Sequence, residues 1–222
     1  MATTLLQLRT RARQRADAVN STFVTDSELT NLINLGLSEL YDLVVSSFED
    51  YFTISTTLTV ASGNTVALPV TFYKLRGLDY NNNGSYQSVR EFSFNERNSS
   101  SPSTLYWTRQ YTVPRKYRIV GDNLLLQPES QSTGLYRLWY VPAPTFLVTD
   151  ADVIPESLSK FGWDDYIVLW AAERMLSKEE SPITDVVAER MQVAGRIAKM
   201  ASDRQVDQSE TVQDVRNEWN EY

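Results

Sequence analysis

Apolar positions along this 222-residue chain change their spacing twice, from a helical rhythm to an alternating one and back again. Leu5, Leu8, Ala12 and Val19 fall on one narrow stripe at 100° per residue, which predicts a first amphipathic helix. Arg9 and Arg13 flank that stripe on one side, Arg11 and Arg15 on the other. A second helix opens at Thr25-Asp26-Ser27-Glu28, a capping box, with Val24 and Leu29 at the positions of a hydrophobic staple. Leu29, Leu32, Ile33, Gly36, Leu37, Leu40, Tyr41, Val44 and Phe48 carry its apolar rhythm over roughly 35 Å.

From residue 50 the chain becomes rich in Thr, Tyr, Ser, Val and Asn, and the period shortens. Strands are expected near residues 52–60, 65–68, 72–80, 86–92, 104–112, 116–120, 124–127 and 135–141. Turn sequences at Ser62-Gly63-Asn64, Asn81-Asn82-Asn83-Gly84 and Gly121-Asp122-Asn123 predict hairpin-linked antiparallel pairs, and residues 95–103 read as a polar loop. After Pro142-Ala143-Pro144 the helical period returns. Tyr166 to Ala172 is apolar around most of a helix, so burial on several sides is expected. A last helix is expected from Ser181 as N-cap with Pro182 at N1, its seam formed by Val187, Met191, Ala194, Ala198 and Ala201.

Terminal helix pairs need partners for their apolar stripes, which predicts an α+β fold. Residues 1–49 plus 147–202 form a bundle, residues 50–146 an inserted antiparallel β-rich domain, and residues 203–222 an acidic amphipathic C-terminal extension.

Composition then narrows the chemistry. The absence of Cys and His removes thiolate and imidazole metal ligands, disulfides, thiol nucleophiles and histidine-based hydrolase triads. The isolated glycines form no phosphate-cradling loop. Asp150 with Asp152, Asp164 with Asp165, and Glu179 with Glu180 are the carboxylate pairs that glycoside hydrolysis or Mg²⁺ binding would need. Adjacent helical residues point about 100° apart, so the last two pairs do not converge unaided. No catalytic residue, metal or cofactor is expected.

The start of the chain lacks a continuous apolar core of the secretory type, and no run is long enough to span a bilayer. Synthesis in a cytoplasm and no membrane partner are expected. A net charge of −7 disfavours non-specific binding of nucleic acid by the whole chain. That charge is unevenly held: residues 1–49 carry 4 basic and 6 acidic groups, residues 50–146 carry 9 and 6, and residues 147–222 carry 8 and 16.

Four groups of residues are candidates for partner contact. The first-helix rails Arg9, Arg11, Arg13 and Arg15 can touch phosphate, pair with acids of an adjacent subunit, or extend along their own stripe. Arg115, Lys116 and Arg118 make a basic cluster beside the aromatic β block, which holds 16 of the 25 aromatic residues. Aromatics there can be cross-strand packing partners or a surface for sugars or unpaired bases. In the tail, Val212, Val215, Trp219 and Tyr222 recur at helical spacing among six acids and two arginines, the pattern of a segment that orders in a groove or folds back on its own bundle.

Taken together, several stretches resemble the head-tail adaptor, or connector, proteins of tailed bacteriophages. They are Leu5-Leu6-Gln7-Leu8-Arg9, Phe23-Val24-Thr25-Asp26-Ser27-Glu28-Leu29, Tyr117-Arg118-Ile119-Val120-Gly121-Asp122-Asn123-Leu124, Leu138-Trp139-Tyr140-Val141-Pro142-Ala143-Pro144, Asp150-Ala151-Asp152-Val153-Ile154-Pro155, and the helix from Trp163 to Glu180. The resemblance covers nearly the whole chain, and no single motif in it is diagnostic. It implies a structural virion protein at the head-tail junction. It further implies copies of the chain in a closed ring, commonly of twelve, docked beneath the portal protein. A downstream tail or nozzle protein, a C-terminal segment reaching into the portal or a neighbouring copy, and genomic DNA passing through the channel without specific binding complete the expectation. The alternative is a carbohydrate-binding or host-recognition module that uses the aromatic β-rich domain through Trp107 or Trp139.

Overall fold

The computed structural model describes residues 2–19, 23–97 and 114–203. The fold is α+β, and the chain divides into two compact units, Met1–Phe48 with Phe146–Tyr222, and Glu49–Thr145.

The helical unit contains α1 (Leu5–Arg15), α2 (Asp26–Ser47), the single turn α3 (Glu156–Ser159), α4 (Asp164–Lys178) and α5 (Thr184–Ser202). Its centre is α4, which packs against α1, α2 and α5 and buries every residue from Tyr166 to Glu173. The all-round apolar character of that segment has this physical cause: three neighbours leave it no solvent face. At Gly36 of α2 a Cβ would stand 3.4 Å from the Trp170 ring and 3.5 Å from Ile167, ordinary van der Waals distances, so α2 and α4 meet closely at this position. Glu173 is buried on α4, where Arg190 of α5 donates to it at 2.7 Å and also reaches the Tyr166 hydroxyl at 3.3 Å. Burial alone would lower the Arg190 pKa, but the Tyr166 and Glu173 contacts outweigh it and hold the guanidinium above its ordinary value.

Three local expectations differ from the structure. The first helix ends at Arg15, Asp17 takes φ 53°, and Val19 lies outside the buried stripe at 57% exposure. At the start of α2 the Glu28 amide donates to the Thr25 hydroxyl at 3.2 Å, while the Glu28 carboxylate accepts two 2.7 Å bonds from Lys178 of α4. The longer-range cation thus takes the carboxylate that a complete capping box would turn back on Thr25.

The last helix begins at Thr184, not after Ser181, because the end of α4 uses Ser181 first. The Ser181 amide donates to the Leu176 carbonyl at 3.0 Å and the Glu180 amide to Ser177 at 3.3 Å, a Schellman closure with Glu180 at φ 56°. The inward face of α5 is Val186, Ile197 and Ala201: Ala201 belongs to the expected seam, Val186 and Ile197 lie one position before Val187 and Ala198, and Met191 is 63% exposed. The larger aliphatic side chains Val186 and Ile197 and the Arg190–Glu173 pair set that face together with Ala201.

An unanticipated capping box starts α1: the Gln7 amide donates to the Thr4 hydroxyl and the Thr4 amide to the Gln7 side chain. Further amides there are satisfied by chain that is distant in sequence. Leu5 donates to the Asp152 carbonyl at 2.8 Å and Leu6 to the Asp150 carbonyl at 3.3 Å.

The β unit contains β1 (Ile54–Val60), β2 (Thr65–Ala67), β3 (Phe72–Asn82), β4 (Ser85–Ser88), β5 (Arg90–Glu91), β6 (Lys116–Val120), β7 (Asn123–Gln127) and β8 (Gly134–Pro142). They form two four-stranded sheets, ordered β1-β8-β3-β4 and β2-β7-β6-β5. Leu58, Leu78, Leu124, Leu126, Tyr136 and Leu138 belong to the core cluster of this unit. The expected strand 86–92 is two strands in different sheets, split at buried Val89, whose amide donates to Leu78. The strand pairs are antiparallel, as expected of this β-rich domain, except β5 with β6, which is parallel. Asn83 and Gly84 both take positive φ in the β3–β4 turn, as a type I′ hairpin requires. The expected strand 104–112 and most of the loop 95–103 lie outside the described residues, and residues 94–96 form a short 3₁₀ turn.

Candidate interaction surfaces

The four arginines of α1 each reach a different part of the helical unit. Arg9 pairs with Asp150 at 2.9 Å, and Arg13 reaches Asp26 at 2.9 Å and the Val24 carbonyl at 2.8 Å. Arg15 pairs with Glu189 of α5. Arg11 spans Asp164, at 2.5 Å, and Asp165 at the start of α4. Asp26, Asp164 and Asp165 sit in first turns, where the helix dipole also favours a carboxylate. The rails therefore tie α1 to its own neighbours.

Two of the carboxylate pairs noted from the sequence, Asp150 with Asp152 and Asp164 with Asp165, are engaged within the same unit. Asp164 is 5% exposed and also accepts the Thr3 hydroxyl at 3.0 Å. Asp152 accepts the Val148 amide at 2.7 Å, the Thr149 amide at 2.9 Å and the Thr149 hydroxyl at 2.5 Å. Those bonds, the hydroxyl first, hold its pKa below the usual aspartate value. Among the described residues no group of three or more acidic side chains is placed to hold a metal ion.

In the β unit the basic cluster is compensated locally. Lys116 donates to Glu96 at 3.2 Å, and Arg118 lies 3.8 Å from Glu91 and donates to the Phe92 carbonyl at 3.0 Å. Arg115 stacks 3.5 Å above the Tyr80 ring and donates to the Gln131 carbonyl at 2.9 Å, fixing the chain ahead of β8. Tyr136 beside it has its pKa raised by burial, against the opposing charge of Arg115. Tyr117 is raised by burial and by Glu91. Val212, Val215, Trp219, Tyr222 and Trp107 lie outside the described residues.

One cation that the sequence did not single out is Arg137 on β8. Its guanidinium carbon lies 3.6 Å from the Tyr86 ring centroid and 5.8 Å from that of Trp139. The Trp139 indole N–H donates to Asp79 at 2.8 Å, so this ring is already engaged within the sheet. Only the register of β3, β4 and β8 brings these residues together, and no motif announces it.

Other surface features are apolar. Leu6 is 53% exposed on α1, and Val148, Val153 and Met191 also face solvent in the helical unit, as do Val70, Tyr73 and Val120 in the β unit. No helix among the described residues is long and apolar enough to cross a membrane.

The arginines of α1 are thus paired within the helical unit, and both units carry exposed apolar side chains. A family model described as SU10 adaptor protein matches residues 3–217, and the chain belongs to that family. The head-tail adaptor resemblance seen in the sequence is thus upheld, and the chain is a bacteriophage structural adaptor and a component of the virion. No curated protein matches the chain.

Proposed function

We propose that copies of this chain assemble as a ring beneath the portal, join it to the tail and continue the channel through which genomic DNA passes. The supporting observation is the adaptor-family match over residues 3–217. In this reading residues 1–49 with 147–202 are the wall-forming bundle, residues 50–146 the inserted domain, and residues 203–222 the portal-reaching extension. Val212, Val215, Trp219 and Tyr222 are the anchors of that extension, and a ring of twelve is the expected assembly. The protein acts by contact and not by catalysis, with no cofactor. DNA slides past a net-negative protein without specific binding. The partners are the portal, further copies, and a downstream tail or nozzle protein.

The test is co-sedimentation of purified chain with portal particles, followed by electron microscopy of the complex. A ring on the portal, lost or weakened when residues 203–222 are deleted, is the expected result. Absence of binding by the full chain overturns the reading. Full binding by the truncated chain removes the extension from the mechanism.

A further inference from the structure

We propose that the outer face of the sheet formed by β1, β8, β3 and β4 is a contact between copies of this chain, in which Arg137 receives Glu179 and Glu180 of a second copy. The proposal rests on the reading of the chain as a self-assembling adaptor and names the surface that reading leaves open.

Asp79 stands directly opposite Arg137 in the β3–β8 register, the place where an opposite charge normally forms a cross-strand pair. Its carboxylate is used elsewhere: one oxygen accepts the Trp139 indole N–H at 2.8 Å and the other the Ser88 hydroxyl at 3.2 Å. Arg137 is left on the rings of Tyr86 and Trp139, and among the described residues it has no carboxylate partner. Stacking fixes the guanidinium plane while leaving its N–H edge able to bind a carboxylate through two hydrogen bonds. Thr57 and Ser55 of β1 lie opposite Arg137 and Trp139, both exposed, and Tyr86 is 43% exposed, so the approach is open among the described residues. Arg, Tyr and Trp are the residues that concentrate binding energy in protein interfaces.

The occupant follows from charge. Residues 147–222 carry 16 acidic groups against 8 basic, whereas residues 50–146 carry 6 against 9. Within the acidic block, Glu179 and Glu180 break two local rules together. They stand at the C-terminal end of α4, where the helix dipole opposes negative charge, and Glu180 holds φ 56°, a conformation that favours glycine. Neither glutamate has an ion pair among the described residues. The two Schellman bonds hold the backbone of the turn, so the two glutamate side chains leave from fixed positions. A β-unit surface of one copy meeting a helical-unit surface of the next is a heterologous contact, which repeats head to tail and closes a ring when its rotation allows.

The chain has no cysteine, so an introduced one is unique. Full-length Thr57→Cys and Ser181→Cys proteins are mixed and treated with a short bismaleimide, and only the mixed dimer is scored. Cross-linking well above that of a Thr57→Cys and Glu156→Cys control is expected. Arg137→Glu in the first protein, or Glu179→Arg with Glu180→Arg in the second, should each lower the yield by about tenfold. Combining these reversed proteins should restore it.

Glu180→Gly separates contact from folding: it relieves the positive φ and should melt no lower than the parent, yet cross-link less. Yield equal to the control, indifference to Arg137→Glu, failure of the reversal to restore, or full cross-linking by Glu180→Gly overturns the proposal. Portal co-sedimentation is measured on the same proteins. Portal binding without the specific cross-link overturns this contact and leaves the adaptor reading intact. The specific cross-link without portal binding overturns that reading and upholds the contact as self-association.

Discussion

Nη1 of Arg11 lies 2.5 Å from Oδ2 of Asp164, a residue only 5% exposed, while the other terminal nitrogen of the same guanidinium meets Asp165. A single side chain of α1 thus covers both acids in the first turn of the central helix. Removing it leaves Asp164 with the Thr3 hydroxyl as its remaining side-chain partner. Arg11→Met should destabilise the protein by about 1–2 kcal/mol, the lower part of the range for a stranded buried acceptor because the guanidinium is itself partly solvated. Adding Asp164→Asn should recover part of the loss. Urea midpoints of the parent, the single and the double variant check this, and a double variant no more stable than Arg11→Met contradicts it.

A side-chain amide performs a comparable task between α2 and the chain that follows the β unit. Asn34 donates to the Leu147 carbonyl at 2.9 Å and accepts the Leu147 amide at 2.9 Å, as a neighbouring strand would. Asn34→Asp keeps the size and the acceptor but loses the donor, so the Leu147 carbonyl is left without that bond. A loss of about 1–2 kcal/mol is expected, read as a lower urea midpoint, and an unchanged midpoint would contradict it.

The contrast between these residues and the helix faces shows what the sequence makes legible. The stripe Leu5, Leu8 and Ala12 and the burial of Tyr166 to Ala172 are repeated signals, each residue reinforcing the next, and they locate α1 and α4. Asn34 is one polar residue on a polar face, and its partner is 113 positions away, so no local period contains it. Arg137 is hidden for the same reason, since Tyr86 and Asp79 reach it only through the sheet register. The start of α5 departs from the local pattern because Ser181-Pro182, a sound N-cap signal, is overridden by the closure of α4. The arginine rails were legible as a pattern, whereas their acids on four separate segments were not.

Gly134 is a position where two demands coincide. Its φ is 137°, and a Cβ there would stand 2.8 Å from the Tyr80 ring, which is also held by Arg115 on stacking. Gly134→Ala should therefore lower stability by about 2 kcal/mol or more, through backbone strain together with displacement of the ring. Gly77 on β3 is the control, since a Cβ at Gly77 meets nothing within 4 Å and its φ is not in the left-handed region. Gly77→Ala should leave the melting temperature close to that of the parent. Equal effects at the two positions would remove the steric argument.

Asp152 makes acid a specific probe of the segment that satisfies the start of α1. Its pKa is lowered from 3.8 by the Thr149 hydroxyl first and then by the Thr149 and Val148 amides, while its backbone carbonyl accepts the Leu5 amide. A depressed folded-state pKa means that the unfolded chain binds the proton more readily, so the contribution to stability is fully present above the ordinary aspartate value. It is lost as pH falls through the lower, folded value. Side-chain carboxyl NMR should show Asp152 titrating below 3.8, with the Val148 and Thr149 amide resonances moving at the same midpoint. Asp152→Asn should abolish that shared transition, and a wild-type midpoint at or above 3.8 would show that the three donors do not favour the charged form.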